Sequence, residues 1–250
     1  MIVRTEAVVL RGINYGETSQ IVTLFTRQMG KLAVMAKGAR RTKSRFGSSL
    51  QPMSYIQVVF YYKGTRSVQT LSESSHVRPF HGITRSLESL SYGLQMVELV
   101  YALLQEEERN PIVFNLLIEV LERLNRTSTR LENLFHFYQL RLAAVLGFAP
   151  NIERTEVEQI STRGGVIALD TGSILASDPG DAAGICRASR QALRAFAIIA
   201  RADLETVMGL RIDERTLAEV SRLVEAFLRY HVEESYPTRT ARIIGQMRER

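Results

Sequence analysis

The chain has 250 residues, a single cysteine (Cys186) and no long apolar run. One cysteine can form neither a disulfide framework nor the several thiolate ligands of a cysteine zinc site. No apolar stretch approaches the ~18 residues that a membrane-spanning helix needs. Arg4 and Glu6 also interrupt what would be the apolar core of a signal peptide. We therefore expect a cytoplasmic protein that is not embedded in a membrane and binds no metal.

Motifs for catalysis and nucleotide binding are missing as well. The segment "MGKL" at 29–32 lacks the upstream glycine and the hydroxyl residue of a phosphate-binding loop. Neither G-x-S-x-G nor H-E-x-x-H occurs, and the four histidines are scattered along the chain. We therefore predict a protein that is not an enzyme and needs no cofactor.

Positive charge is concentrated near the N-terminus. Residues 1–80 contain twelve lysines and arginines against three glutamates, a net charge of +9. Residues 81–238 contain sixteen arginines and twenty-two acidic residues, a net charge of −6. This asymmetry predicts a polyanionic partner for the first part of the chain and a different partner for the rest.

The first 76 residues have the alternating apolar pattern or the short apolar runs that are typical of β-strands. The predicted strands cover 2–11, 20–27, 30–38, 54–63 and 67–74. Five short strands cannot form a large sandwich, whereas a small closed or partly open barrel hides their edges. We therefore predict a five-stranded OB-fold barrel over residues 1–80.

After residue 82 the apolar residues repeat with a helical period. The first predicted helix has an apolar face of Leu87, Leu90, Leu94, Val97, Tyr101 and Leu104. Asn110 and Pro111 indicate the start of a second helix, and a capping box from Thr129 to Glu132 indicates the start of a third. Gly147 is expected to end the third helix.

Helical periodicity returns at 188–201 and 213–232, after an irregular, glycine-rich segment at about 150–186 with at most one hairpin near 155–169. That segment contains no cysteine before Cys186. The predicted fold class is thus α+β: an N-terminal OB-fold barrel, then an α-helical domain at 81–250 with an insertion at about 150–186.

The segment "AKGARRTKSRF" at 36–46 is the densest run of positive charge, and it lies between the third and fourth predicted strands. Its cations are Lys37, Arg40, Arg41, Lys43 and Arg45. Like charges this close repel one another, so the run gains stability only when an anion binds. We predict that these residues bind nucleic-acid phosphates. The alternative is that some of them pair with acids of the helical domain.

The two neighbouring strands place further candidates on the face opposite their core residues. These candidates are Lys31, Tyr55, Tyr61 and Lys63. Cations beside exposed aromatic rings are typical of proteins that hold single-stranded nucleic acid, because rings stack on bases while cations track phosphates. The alternative is that the two tyrosines pack against the barrel rim or the helical domain.

Residues 7–62, "AVVLRGINYGETSQIVTLFTRQMGKLAVMAKGARRTKSRFGSSLQPMSYIQVVFYY", resemble the N-terminal domain of the RecO family of bacterial recombination mediators. The motifs "YGE", "LFT", "GKL", "AKGARR" and "KSRFG" occur in the family's order, and "LGFAP" at 146–150 resembles the end of its central helical segment. The resemblance implies an OB-fold followed by an α-helical domain. It also implies DNA repair in the bacterial cytosol or nucleoid. The resemblance further implies that the protein binds single- and double-stranded DNA, anneals complementary strands, and with RecR loads RecA on strands coated by single-stranded DNA-binding protein.

The chain departs from the family in one respect. Many relatives carry two cysteine pairs after the "GFAP" segment and bind zinc there, whereas residues 151–185 of this chain contain no cysteine. Four tetrahedral ligands cannot come from Cys186 alone, so we expect no zinc.

The resemblance also implies a partner for the helical domain, the acidic C-terminal tail of single-stranded DNA-binding protein. Such a tail needs an apolar pocket with cations at its rim, because its carboxylates must be paired once they leave water. The predicted cations are Arg123, Arg126, Arg130 and Arg141, around a floor of Leu121, Leu124, Leu131 and Leu134. Ordinary helix pairs, such as Arg123 with Glu119, are the alternative.

Two other functions remain compatible with the sequence. The basic run could bind an acidic protein surface, which would make the chain an interaction adaptor. The barrel could instead bind RNA, since OB-folds bind both nucleic acids.

Overall fold

The computed structural model describes residues 1–162, 164–175, 180, 183–232 and 236. Residues 1–128 form one compact unit, and residues 129–236 form another. Within the described ranges, no helix is long and apolar enough to cross a membrane.

The first unit begins with a closed five-stranded barrel. Its strands are β1 (Ile2–Tyr15), β2 (Ser19–Thr26), β3 (Gly30–Ala36), β4 (Tyr55–Tyr61) and β5 (Val68–Arg78). They follow the order β1-β2-β3-β5-β4, and β4 closes the barrel by pairing with β1. All pairs are antiparallel except β3 with β5. The predicted barrel is thus confirmed, and each predicted strand is present.

The barrel core follows the predicted alternation. Leu32, Val34 and Ala36 of β3 point inward, as do alternate residues of β4, and all are at most 4% exposed. Because successive side chains of a strand point to opposite faces, the residues between them lie on the outer surface. A bulge between Val9 and Arg11 bends β1, which allows this long strand to pair with both β2 and β4.

Two helices, α1 (Leu87–Leu103) and α2 (Pro111–Arg126), complete the first unit. The Asn110 side chain accepts a hydrogen bond from the backbone of Val113, and Pro111 occupies the first turn, as predicted. Phe114 of α2 is fully buried, with its ring centroid 5.6 Å from that of Phe25 in β2. Barrel and helices therefore share apolar contacts.

The buried face of α1 agrees with the predicted one only in part. Val97 and Leu104 are buried as predicted, but Leu87 is 51% exposed, and Ser89 and Gly93 are buried in addition. A Cβ atom at Gly93 would collide with the sulfur of Met53, so the helix backbone lies close to its neighbours. Small residues such as Ser89 and Gly93 permit the helix backbone to lie this close to its neighbours. A search for large apolar residues does not detect a helix face that is built from small ones.

The second unit contains five helices within its described residues. They are α3 (Leu131–Val145), α4 (Arg154–Gln159), α5 (Arg190–Arg201), α6 (Leu204–Gly209) and α7 (Glu214–Val232). Every residue of α3 from Asn133 to Leu140 is buried, and the helix contacts α5, α6 and α7. Gly147 takes a φ of 95° just after α3, as its predicted role in ending the helix requires.

The capping box predicted at Thr129 is wrong. Arg130 is the N-cap residue, with a φ of 57°, and its side chain makes no capping hydrogen bond. Its guanidinium instead donates to the backbone carbonyl of Met208, which lies at the end of α6.

The segment after α3 is more regular than its sequence pattern indicated. A short helix occupies 154–159, where one strand of a weak hairpin was expected. An antiparallel sheet of β6 (Gly165–Ala168), β7 (Ile174–Leu175) and β8 (Ile185–Ala188) follows, in the order β7-β6-β8. Strands this short carry too few residues to show an alternating pattern.

Candidate nucleic-acid interface

The basic run forms a loop between β3 and a short 3₁₀ helix, and the barrel holds it at both ends. At its start, the backbone N–H of Arg40 donates to the carbonyl of Thr18 in the β1–β2 turn, at 2.9 Å. At its end, Phe46 is 3% exposed and belongs to the barrel core. Residues 37–45, here called the basic loop, are therefore attached to the barrel at both ends.

All five predicted cations of the basic loop are exposed to solvent. Arg40 donates from Nη1 to the carbonyls of Gly16 and Glu17, at 3.2 Å each, so its side chain also ties the loop to the β1–β2 turn. The guanidinium of Arg45 lies 5.0 Å from the ring centroid of Phe46. The other three cations are Lys37, Arg41 and Lys43. Within the part of the chain that the structure describes, their side chains form no hydrogen bond or ion pair.

A groove lies between this loop and the β1–β2 hairpin. Its lining includes Tyr15 and Met35 from the strands, and Lys37 and Arg41 from the basic loop. Tyr15 is not among the binding residues predicted from the sequence, where it lies in the "YGE" motif between the first two predicted strands. Its aromatic ring at the tip of a hairpin is the signal that could have identified it. The structure brings its ring, 56% exposed, to the same groove as two cations.

Tyr61 and Lys63 lie at the other end of the barrel. Tyr61 pairs with Ile2 at the start of β1, whereas the basic loop follows Ala36, whose partner Gln20 pairs with Asn14 near the other end of β1. The Tyr61 side chain is 52% exposed, and Lys63 is exposed as well. The structure therefore does not bring these two residues to the basic loop.

Lys31 and Tyr55 lie where the barrel meets the helices. The Nζ of Lys31 donates to the carbonyl of Tyr101 in α1 at 2.7 Å, and desolvation by burial lowers the pKa of this lysine. Tyr55 is 6% exposed and lies between the rings of Phe80 and Phe114, with centroids 6.5 and 6.4 Å away. Its ring is therefore buried against protein side chains and is not open to a base, which agrees with the alternative that it packs within the protein.

The four arginines predicted to rim a tail-binding pocket divide between the two units. In the first unit, Arg126 is largely exposed, and its Nη2 lies 4.0 Å from the carboxylate of Glu122. Arg123 lies one turn earlier in α2 and is half-buried. Leu121 and Leu124 beside them are fully buried in that unit.

In the second unit, both predicted arginines bind backbone carbonyls. Arg141 donates to the carbonyls of Ala200, at 3.1 Å, and Ala202, while Arg130 donates to that of Met208. The last carbonyls of a helix have no partner within it, so these guanidinium groups supply one. Leu131 and Leu134 are at most 2% exposed.

Cys186 lies in β8 and is half-buried, and burial raises the pKa of its thiol. Among the described residues, no group of three or more histidine, cysteine, aspartate or glutamate side chains is placed to hold a metal ion.

Comparison with known proteins gives matches over nearly the whole chain. Residues 1–80 match the family model described as Recombination protein O N terminal, and residues 84–240 match Recombination protein O C terminal. The DNA repair protein RecO of Salinibacter ruber is 52% identical over 246 residues, which cover 98% of this chain and 94% of that protein. The protein of the same name from Chloroherpeton thalassium is 31% identical over 99% of both chains.

The chain belongs to the RecO family. RecO proteins are DNA repair proteins with a general role in recombination, so the resemblance seen in the sequence is confirmed. The RecO N-terminal domain is an OB-fold, and the closed barrel of this chain has that architecture. The two RecO family models meet between residues 80 and 84, whereas the compact units meet between 128 and 129.

Proposed function

We propose that this RecO protein is a non-catalytic mediator that binds single- and double-stranded DNA through the basic loop. The observation that supports it is the set of exposed cations on a loop that the barrel holds in place. Lys37, Arg41 and Lys43 have no hydrogen-bond or ion-pair partner among the described residues, so their mutual repulsion is relieved only when an anion binds. DNA supplies closely spaced phosphates, and binding releases their counterions.

Strand annealing is the activity that this kind of contact favours. Cations on phosphates position a strand without reading its bases. The base edges therefore stay free to pair with a complementary strand. We propose that the protein anneals complementary strands and, together with RecR, helps to load RecA on strands coated by single-stranded DNA-binding protein. We place this activity in the bacterial cytosol or nucleoid.

The salt dependence of DNA binding tests the site. A variant with Lys37, Arg41 and Lys43 all replaced by alanine removes three charges and leaves the Arg40 anchor intact. Its affinity should fall to a similar extent for all sequences, and the slope of log K against log salt should flatten by about one unit per lost phosphate contact.

A matched control replaces three exposed arginines of the second unit, Arg211, Arg215 and Arg229, by alanine. It removes the same charge and should leave the slope unchanged. An unchanged slope in the basic-loop variant, or equal flattening in both variants, would contradict the assignment. Annealing assays with DNA and RNA strands, with and without single-stranded DNA-binding protein, separate DNA annealing from the adaptor and RNA-binding alternatives.

We further propose that the second unit binds the acidic tail of single-stranded DNA-binding protein. A groove between α4, α5 and α6 meets the stated requirement for an apolar floor with cations at its rim. Val157, Ala197, Ile198 and Ala202 form the floor, and Ile198 is 39% exposed. Arg194 and Arg201 line the same groove, together with one acidic residue, Glu158.

Fluorescence anisotropy with a labelled tail peptide distinguishes this groove from the cluster of four arginines predicted from the sequence. Arg194→Glu should weaken binding because it reverses a charge at the groove, whereas Arg126→Glu should not. Weakening by Arg126→Glu alone would favour the predicted cluster in its place. Arg126 is the informative position of the four, because a change at Arg130 or Arg141 also removes a partner of backbone carbonyls.

A further inference from the structure

Tyr15 is a large aromatic side chain that the fold does not use. It is the last residue of β1, and its backbone pairs with Ser19 across the hairpin. Its side chain is 56% exposed, and within the described residues it forms no hydrogen bond and no ring contact. The hairpin thus fixes the backbone position of Tyr15, while its aromatic ring remains exposed to solvent.

The surroundings of Tyr15 are those of a nucleotide subsite. Thr18, Ser19 and Met35 line the groove next to it, and Lys37 and Arg41 supply two cations from the basic loop. Because these cations line the same groove as Tyr15, a strand that places its phosphates on them can turn a base toward the ring. An aromatic ring beside a cationic track is the arrangement by which OB-folds hold unpaired bases.

An apolar row extends from this groove over the outer face of the barrel. Ile13, Ile21 and Met35 are neighbours across β1, β2 and β3, and Ile13 is 47% exposed. The row ends at Arg11, whose guanidinium lies 5.5 Å from the ring centroid of Tyr101 in α1. The open surface between Arg11 and Tyr15 can therefore accept the flat faces of aromatic groups such as bases.

We propose that Tyr15 stacks on an unpaired base while Lys37 and Arg41 hold the adjacent phosphates. In a duplex both faces of an interior base are covered by its neighbours, so only single strands offer a free face to the ring. Tyr15 therefore raises the affinity for single strands and contributes little to duplex binding. This inference rests on the proposed DNA-binding function and assigns a separate role within that site.

The test measures anisotropy with a labelled oligo(dT) strand and with a labelled blunt duplex of equal length. Tyr15→Ala should weaken oligo(dT) binding about tenfold, a loss of ~1.4 kcal/mol and within the usual range for one stacked base. Duplex affinity should change less than twofold. The salt slope should not change, because no charge is removed. Tyr15→Phe keeps the ring and should bind as the wild type does.

Tyr230→Ala in α7 is the matched control, because Tyr230 is also exposed, at 47%, and lies in the other unit. It should leave oligo(dT) binding unchanged, and circular dichroism should show an intact fold in every variant. Oligo(dT) affinity of Tyr15→Ala within twofold of wild type, or an equal loss on the duplex, would overturn the stacking role. If the wild type binds neither probe, the proposed DNA-binding function fails, and this inference fails with it.

Discussion

Replacing Phe114 by alanine tests whether the barrel and the first two helices share one core. The Phe114 ring is fully buried and lies 5.6 Å from Phe25 and 6.4 Å from Tyr55, measured between centroids. The guanidinium carbon of Arg27 lies 4.6 Å from the same ring centroid. One side chain of α2 thus contacts three residues that belong to or adjoin the barrel strands.

The expected cost follows from these contacts. Removal of a buried phenylalanine side chain lowers the free energy of unfolding by about 3–5 kcal/mol. Phe114→Leu keeps most of the apolar volume and loses the ring–ring and cation–ring contacts. It should lower the free energy of unfolding by about 1.5–4 kcal/mol, from two ring pairs worth ~0.5–1.5 kcal/mol each and one cation contact worth ~0.5–1 kcal/mol.

Urea unfolding followed by circular dichroism measures these losses, since the chain has no tryptophan to serve as a fluorescent probe. Hydrogen exchange with mass spectrometry then shows where protection is lost. Phe114→Ala should reduce protection in β2 and β4 as well as in α2. The control is Phe196→Ala in α5, which removes an equally buried ring from the second unit and should reduce protection only there.

Unchanged protection of β2 and β4 in Phe114→Ala would refute the reasoning. It would mean that the barrel is stable without α2, and that a domain boundary near residue 80 describes the folding units better. The expected result instead favours 1–128 as the unit that folds together.

Two further predictions concern stability. Burial lowers the pKa of His136, whose ring nitrogens lie 3.0 Å from Gln139 and 2.9 Å from Ser221. Below its ordinary pKa of about 6.5, the unfolded chain takes up a proton that the folded chain resists, so stability should fall from pH 7.5 to 5.5. His136→Gln should show a smaller fall in the urea midpoint, and an equal fall would contradict this cause. Gly30→Ala should lower the free energy of unfolding by ~1 kcal/mol more than Gly16→Ala does, again measured by urea unfolding. Both glycines have a positive φ, but only at Gly30 would a Cβ meet the backbone of Glu108 and disturb the nearby hydrogen bond from Glu107 to Lys31. Equal losses in the two variants would show that the backbone around Glu108 shifts to accommodate the new Cβ atom without loss of stability.

Most of the fold could be predicted from local patterns in the sequence. The five strands could be predicted because alternation of side chains is a property of neighbouring residues, as Leu32, Val34 and Ala36 show in β3. The start of α2 could be predicted because Asn110 and Pro111 act on the turn that they begin. The buried face of α1 could not be predicted in full, because the close approach of the helix backbone at Gly93 depends on Met53, forty residues earlier in the chain.

The candidate site divides in the same way. The charge density of residues 37–45 is a property of the sequence alone, and because so many like charges resist burial, their exposure follows from it. The surroundings of a single side chain depend on residues far away in the chain. Lys31 and Tyr55 have the outward position that alternation predicts, but contacts with α1 and α2 cover them. Tyr15 is separated by more than twenty residues from Lys37 and Arg41, and strand pairing brings the three to one groove. Local periodicity and charge were enough to predict the barrel, most of the longer helices and the basic loop. Which aromatic ring stays open beside the cations depends on the distant segments that pack over the outer face of the barrel, and no local pattern contains that information.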